Sequence, residues 1–191
     1  VVGHNGMTSD WKDITKNLAP RMSSSTDVIT NFLMKFCHSR GIGSGKIRVN
    51  KVYDSIYKHI DEMTLKPFQG LLKDLKESSS HYARLAFPPG VKEWKKFSQK
   101  DDLLDYSSMG YKQHEALMLS MMDKLPENEW DPVIEIVTCL VARYQIPLLL
   151  SPGKLETPMY EMAKDLYSKG SKYIPEMRLK VTKMITTQYE I

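Results

Sequence analysis

The stretch DVITNFLMKFCHSRGIGSGKIRVNKVYDSIYKHIDEM, residues 27–63, decides how this chain folds. Val28, Ile29, Phe32, Leu33, Phe36 and Cys37 recur at steps of three and four, and so do Val49, Val52, Tyr53, Ile56, Tyr57, Ile60 and Met63. That period puts each set on one face of a helix. Between them Gly41, Gly43 and Gly45 interrupt the pattern and stop the first helix. The segment predicts two amphipathic helices, 27–39 and 49–63, folded into a hairpin.

The same period runs through the rest of the chain. Upstream, Asp10 precedes a stripe of Trp11, Ile14 and Leu18 on a short helix bounded by Pro20, and Ser23 to Asp27 offer N-caps for the next. Downstream, Pro67 sits in the first turn of a helix carrying Phe68, Leu71, Leu72 and Leu75, which Ser78, Ser79 and Ser80 close. A short segment with Tyr82, Leu85 and Phe87 meets Pro88-Pro89-Gly90, where a subdivision into 1–87 and 91–191 would fall. Val91, Trp94 and Phe97 mark a short basic helix, and another covers 101–106. Tyr111, His114, Met118, Met121 and Leu125 mark a helix over 110–124, widened by Leu117 and Met122. Asp131 caps and Pro132 opens a helix with Val133, Ile134, Ile136, Val137, Leu140, Val141 and Tyr144, expected to be the most buried element. Thr157 and Pro158 open a helix ended by Gly170, and the last helix carries Ile174, Met177, Val181, Met184 and Ile185.

No stretch combines β-branched alternation with a two-residue turn. The fold class is therefore all-α, with about eight helices stacked as antiparallel hairpins in a single domain spanning 1–191. At 191 residues and 41% apolar content, such a chain buries roughly 70% of its unfolded surface. Cys37 and Cys139 lie among apolar residues and read as small buried hydrophobes in a reducing, intracellular setting, cytoplasmic or nuclear. The longest apolar runs, 116–119 and 139–142, are far below the ~20 residues of a membrane span. Lacking a start methionine and a signal-peptide pattern, the chain reads as a piece of a larger protein.

Residues 131–170 repeat the plan of 27–63: an aspartate, Val-Ile, a cysteine in an apolar helix, an arginine, a glycine-containing loop and a helix with tyrosine. Aligning Val28 with Val133 and Cys37 with Cys139 requires a gap. The segment from Val28 to Arg40, with Asn31, Leu33, Phe36, Cys37 and Gly41, resembles the first helix of a tetratricopeptide- or pentatricopeptide-like hairpin, and 51–67 resembles the second. The resemblance covers one hairpin closely and another loosely, less than half of the chain. It implies a stacked-hairpin surface that binds peptide or RNA.

Reaction chemistry finds little footing. Gly41-Ile42-Gly43-Ser44-Gly45-Lys46 is one residue short of a phosphate-binding loop, has Ile47 where a hydroxyl would hold magnesium, and follows a helix instead of a strand. His4, His38, His59, His81 and His114 include no pair at metal-ligand spacing, and His114-Glu115 has no second histidine a turn later. Cys37 and His38 point about 100° apart around their helix, a poor geometry for nucleophile and base. Neither an enzyme nor a cofactor or metal is expected.

Binding is expected instead. Twelve methionines exceed what packing needs, and Met118, Met121 and Met122 with Tyr160 at the edge are candidates for an adaptable groove that takes a partner protein or peptide. Val133, Ile134 and Leu140 would allow a homodimer. The alternative is RNA or single-stranded nucleic acid, held by Lys92, Trp94, Lys95, Lys96 and Lys100 and by Lys172, Arg178 and Lys180, with ammonium groups on phosphates and an aromatic ring on a base. A net charge of +4 is mild for a dedicated nucleic-acid binder, and a solvated outer face explains the lysines equally. The reading is a non-enzymatic interaction or scaffold domain without a membrane segment.

Overall fold

The computed structural model describes residues 2–19, 25–43, 47–61, 63–85, 97, 112–145 and 152–189. Among them every regular element is helical: α1 (Val2–Leu18), α2 (Ser25–Arg40), α3 (Val52–Asp61), α4 (Leu65–Leu85), α5 (Glu115–Lys124), α6 (Asp131–Leu140), α7 (Pro152–Lys169) and α8 (Ile174–Tyr189). The chain is all-α. No described helix is long and apolar enough to cross a membrane. The expected helices at 91–97 and 101–106 and the breaker at 88–90 lie outside the described residues, apart from Phe97, which is buried and stacks on Trp130 at 5.7 Å.

α2 ends where its sequence says it should. Gly41 takes φ 67°, its N–H donates to the His38 carbonyl, and the Ile42 N–H reaches the Cys37 carbonyl at 2.9 Å. These are the paired bonds of a Schellman stop, with Ile42 buried beside the last turn. α4 departs from expectation, running 21 residues through the serines proposed to close it. Ser79 donates to the Lys76 carbonyl of its own helix and Ser78 to Asp123 of α5, so neither hydroxyl competes for a cap. Leu71, Leu75, Ser78 and Tyr82 then keep one buried face going across the interruption.

Pro158 likewise lies inside α7, which Pro152 opens. An interior proline costs ~3 kcal/mol through its missing N–H and its ring. Leu155, Met159, Met162 and Leu166 are all buried on one face across it, and that burial outweighs the loss. α6 begins at Asp131 itself, after Trp130, with no side-chain cap; the Trp130 indole N–H donates to the Leu125 carbonyl at 3.1 Å.

The most buried element is α5, not α6. Ala116, Leu117, Met118, Leu119, Ser120, Met121 and Met122 are consecutive and all buried, whereas α6 exposes Asp131 and Glu135. α5 has charge only at Glu115, Asp123 and Lys124, its two ends, so it is apolar around its whole circumference and needs neighbours on every side. It packs against α2, α4, α6 and α7. Helices from both sides of residues 88–90 thus share a core. Two apolar clusters meet at α5: one holds Leu119 with α1, α2 and α4, the other Ala116, Leu117, Met118, Met121 and Met122 with α6, α7 and α8.

Contacts also give helix directions. Asp165 pairs with Lys180 and Lys169 with Glu176, so α7 and α8 form an antiparallel hairpin around Gly170, which takes φ 62°. In contrast, Lys35 lies by Glu115, Ser39 by Ser120 and Arg40 by Asp123, so α2 and α5 run the same way. Val133, Ile134 and Leu140 are fully buried, which leaves them no surface for a homodimer. Truncating Leu117 to alanine is expected to cost about 2–5 kcal/mol in denaturant unfolding. The same truncation of Leu179, 63% exposed, should stay within about 0.5 kcal/mol.

Candidate functional site

The residues proposed for a methionine groove form part of the core. Met118, Met121, Met122 and Tyr160 are 1%, 0%, 5% and 7% exposed, so a partner cannot reach them without opening the domain. The reason is α5's central position: methionines at helical spacing fill irregular space between four neighbouring helices. Lys92, Trp94, Lys95, Lys96 and Lys100 lie outside the described residues. Of the second basic cluster, Lys172 is exposed, Arg178 is held by Glu135 at 2.8 Å, and Lys180 lies 3.1 Å from Asp165 and 3.4 Å from Glu176. Carboxylates on α6, α7 and α8 therefore offset much of that charge.

A buried polar network joins residues far apart in the sequence. Arg40, at the end of α2, places Nη2 2.6 Å from Asp123 of α5, and both side chains are less than a tenth exposed. Asp123 also accepts from Ser78 at 2.9 Å and from His81 Nδ1 at 2.6 Å, both on α4. The guanidinium lies between the rings of Phe36 and Tyr167, 4.2 Å from each centroid, and a second nitrogen donates to Ser39. No local pattern links Arg40 to Asp123 in sequence, and Ser78, which completes the network, carries the local signature of a helix end. Histidine, aspartate and serine do converge here, but Ser78 spends its hydroxyl on the aspartate, so it is not arranged as a nucleophile activated by the imidazole.

A second buried polar group joins α2, α5 and α7. Lys35, 5% exposed, donates from Nζ to the Lys112 carbonyl at 2.9 Å and lies 3.8 Å from Glu115. His114 is buried beside it, and desolvation, reinforced by the Lys35 charge, depresses the imidazole pKa to about 4. Burial, with Glu156 and Glu115 nearby, raises the Tyr160 phenol well above its ordinary range. His38 stacks on Tyr160 at 3.7 Å and accepts the Ile47 N–H on Nε2, which assigns its ring proton to Nδ1 in the neutral form. Burial pushes the neighbouring Cys37 thiol up to about 12, so it stays protonated and inert. Among the described residues no group of three histidine, cysteine, aspartate or glutamate side chains is placed to hold a metal ion.

No family model, curated protein or solved structure matches the chain.

The surface feature that stands out is on α3. Tyr53 and Tyr57, one turn apart, are 52% and 69% exposed, and Val49 in the turn before α3 and Leu65 at the start of α4 are 52% and 66% exposed. Along one flank of the two tyrosines α3 is anchored by Val52, fully buried, with Ile56 and Ile60 packed against the α2 cluster. Tyr53 shares a hydrogen bond with Thr30 of α2 at 3.2 Å, which fixes where its ring stands. Sequence periodicity placed both tyrosines on an apolar stripe; it could not show that α2 covers only part of it.

His114 gives this architecture a pH dependence. Its folded-state pKa lies below the ordinary 6.5, so the unfolded chain binds the extra proton first. Stability contributed by the neutral imidazole is complete above about pH 6.5, is lost as pH falls toward 4, and changes no further below that. In urea unfolding at stepped pH, His114→Gln should flatten the slope across this window; an unchanged slope would assign the acid sensitivity to other groups.

Proposed function

We propose that this chain is a helical interaction domain that binds a partner protein through the exposed face of α3. The observation that carries the reading is the tyrosine pair: Tyr53 and Tyr57, one helical turn apart, expose large amphipathic rings on a helix whose neighbouring flank is locked into the core. Aromatic side chains of this kind supply contact area at low conformational cost and are enriched where protein surfaces meet. Isolated exposed apolar residues need no explanation, but several at one helical spacing form a patch. On the side of the tyrosines away from the anchored flank lie Asp54, Lys58 and Asp61, all exposed, a polar edge of the kind found around a binding face.

This differs in place from a groove lined by methionines, although it keeps the kind of partner. The nucleic-acid reading gains no support from Arg178 and Lys180, whose charges are engaged by carboxylates. A partner helix or extended segment that buries Tyr57 would make this side chain a dominant contact, worth ~2 kcal/mol or more on truncation.

The wild-type domain should capture a reproducible set of proteins from lysate. Tyr57→Asp should lose that set while unfolding within about 0.5 kcal/mol of wild type. Capture of the same set by the variant would move the binding face elsewhere.

A further inference from the structure

A cavity of about 240 Å³ opens between the glycine turn after α2 and one face of α7. Its walls include the stacked rings of His38 and Tyr160, the backbone at Gly41, and Thr157, Glu161 and Lys164 of α7. The three α7 residues recur at steps of four and three, which sets them on one face of the helix. The volume is below the ~300–1,000 Å³ of sites that hold drug-sized molecules, so an occupant would be the size of a small metabolite.

The charges decide its chemistry. Glu161 and Lys164 carry opposite signs and line the same opening, and neither forms an ion pair or hydrogen bond among the described residues. Lys164 is also shaped into the wall. A Cβ on Gly41 would lie 2.6–2.9 Å from its side-chain carbons, so the bare left-handed glycine is what lets the lysine stem lie across the turn. An anion alone would meet repulsion from Glu161, and a cation alone from Lys164. Residues three apart on a helix have Cβ atoms about 5–6 Å apart, a separation suited to a molecule whose own two charges are close together.

We propose that this cavity binds a small zwitterion of the free amino-acid class. The ligand carboxylate meets the Lys164 ammonium, its ammonium meets Glu161, and Thr157 adds a hydroxyl. The apolar part of the ligand lies against the His38–Tyr160 wall. This site is separate from the exposed face of α3, so its absence would leave the protein-binding reading standing.

Calorimetric titration with the free amino acids one at a time, followed by the N-acetyl and carboxamide derivatives of any binder, tests the assignment. At least one amino acid should bind, and both derivatives should bind about tenfold more weakly or not at all, because each lacks one of two charge-assisted contacts. Lys164→Met and Glu161→Gln should each weaken the parent amino acid by a similar factor while melting like wild type. The proposal fails if no amino acid binds, if binding is unchanged in both variants, or if inorganic phosphate binds where amino acids do not.

Discussion

The buried contact between Arg40 and Asp123 is the constraint around which the helices are arranged. Taking both charges out of water costs several kcal/mol for each, and only close geometry with further hydrogen bonds can offset that. Here the geometry is close: 2.6 Å between the charged groups, two α4 side chains donating to the same carboxylate, and two aromatic rings flanking the guanidinium. Three side chains from α2, one from α5, two from α4 and a ring from α7 meet at this point. A shift of α2 or α5 would leave a buried charge without its partner, and a shift of α4 or α7 would remove the hydrogen bonds or the ring around it. Such a pair contributes more to fixing one arrangement than to net stability, since apolar residues in the same space could pack as favourably.

That arrangement makes the rest intelligible. A helix apolar on all sides has no preferred orientation in a core, and α5 is such a helix. Asp123 at its C-terminal end and Glu115 at its N-terminal end supply what the apolar surface cannot, a fixed rotation and a fixed register against α2. With α2 and α5 running the same way, the chain between them must cross back, and α3 and α4 lie in that crossing. α3 contributes one face to the core and presents the other to solvent. The outward tyrosines are thus a consequence of where the buried pair sets α2.

Much of the fold was legible in the sequence because it depended on local chemistry. The limits of α2 followed from its stripe and from Gly41, and Gly170 closed α7 for the same left-handed reason. What misled were residues whose local preference was overridden by distant partners. Ser78 and Ser79 look like a helix end until one hydroxyl finds its own backbone and the other finds Asp123. Pro158 looks like a first-turn residue until the buried row of Leu155, Met159 and Met162 is seen to run through it. The candidate site was less legible still. Periodicity marks Met118 and Tyr57 equally as stripe residues, yet one is 1% exposed and the other 69%, and only the packing of neighbouring helices separates them.

A double-mutant cycle on Arg40 and Asp123, read by urea unfolding, tests the central claim most directly. With Arg40→Met and Asp123→Leu, each single substitution should cost about 3–5 kcal/mol, because it strands a buried charge. The double substitution should cost far less than their sum, since neither charge remains. Single losses below about 1 kcal/mol that simply add would contradict the account, because they would mean that the helices hold their places without this pair.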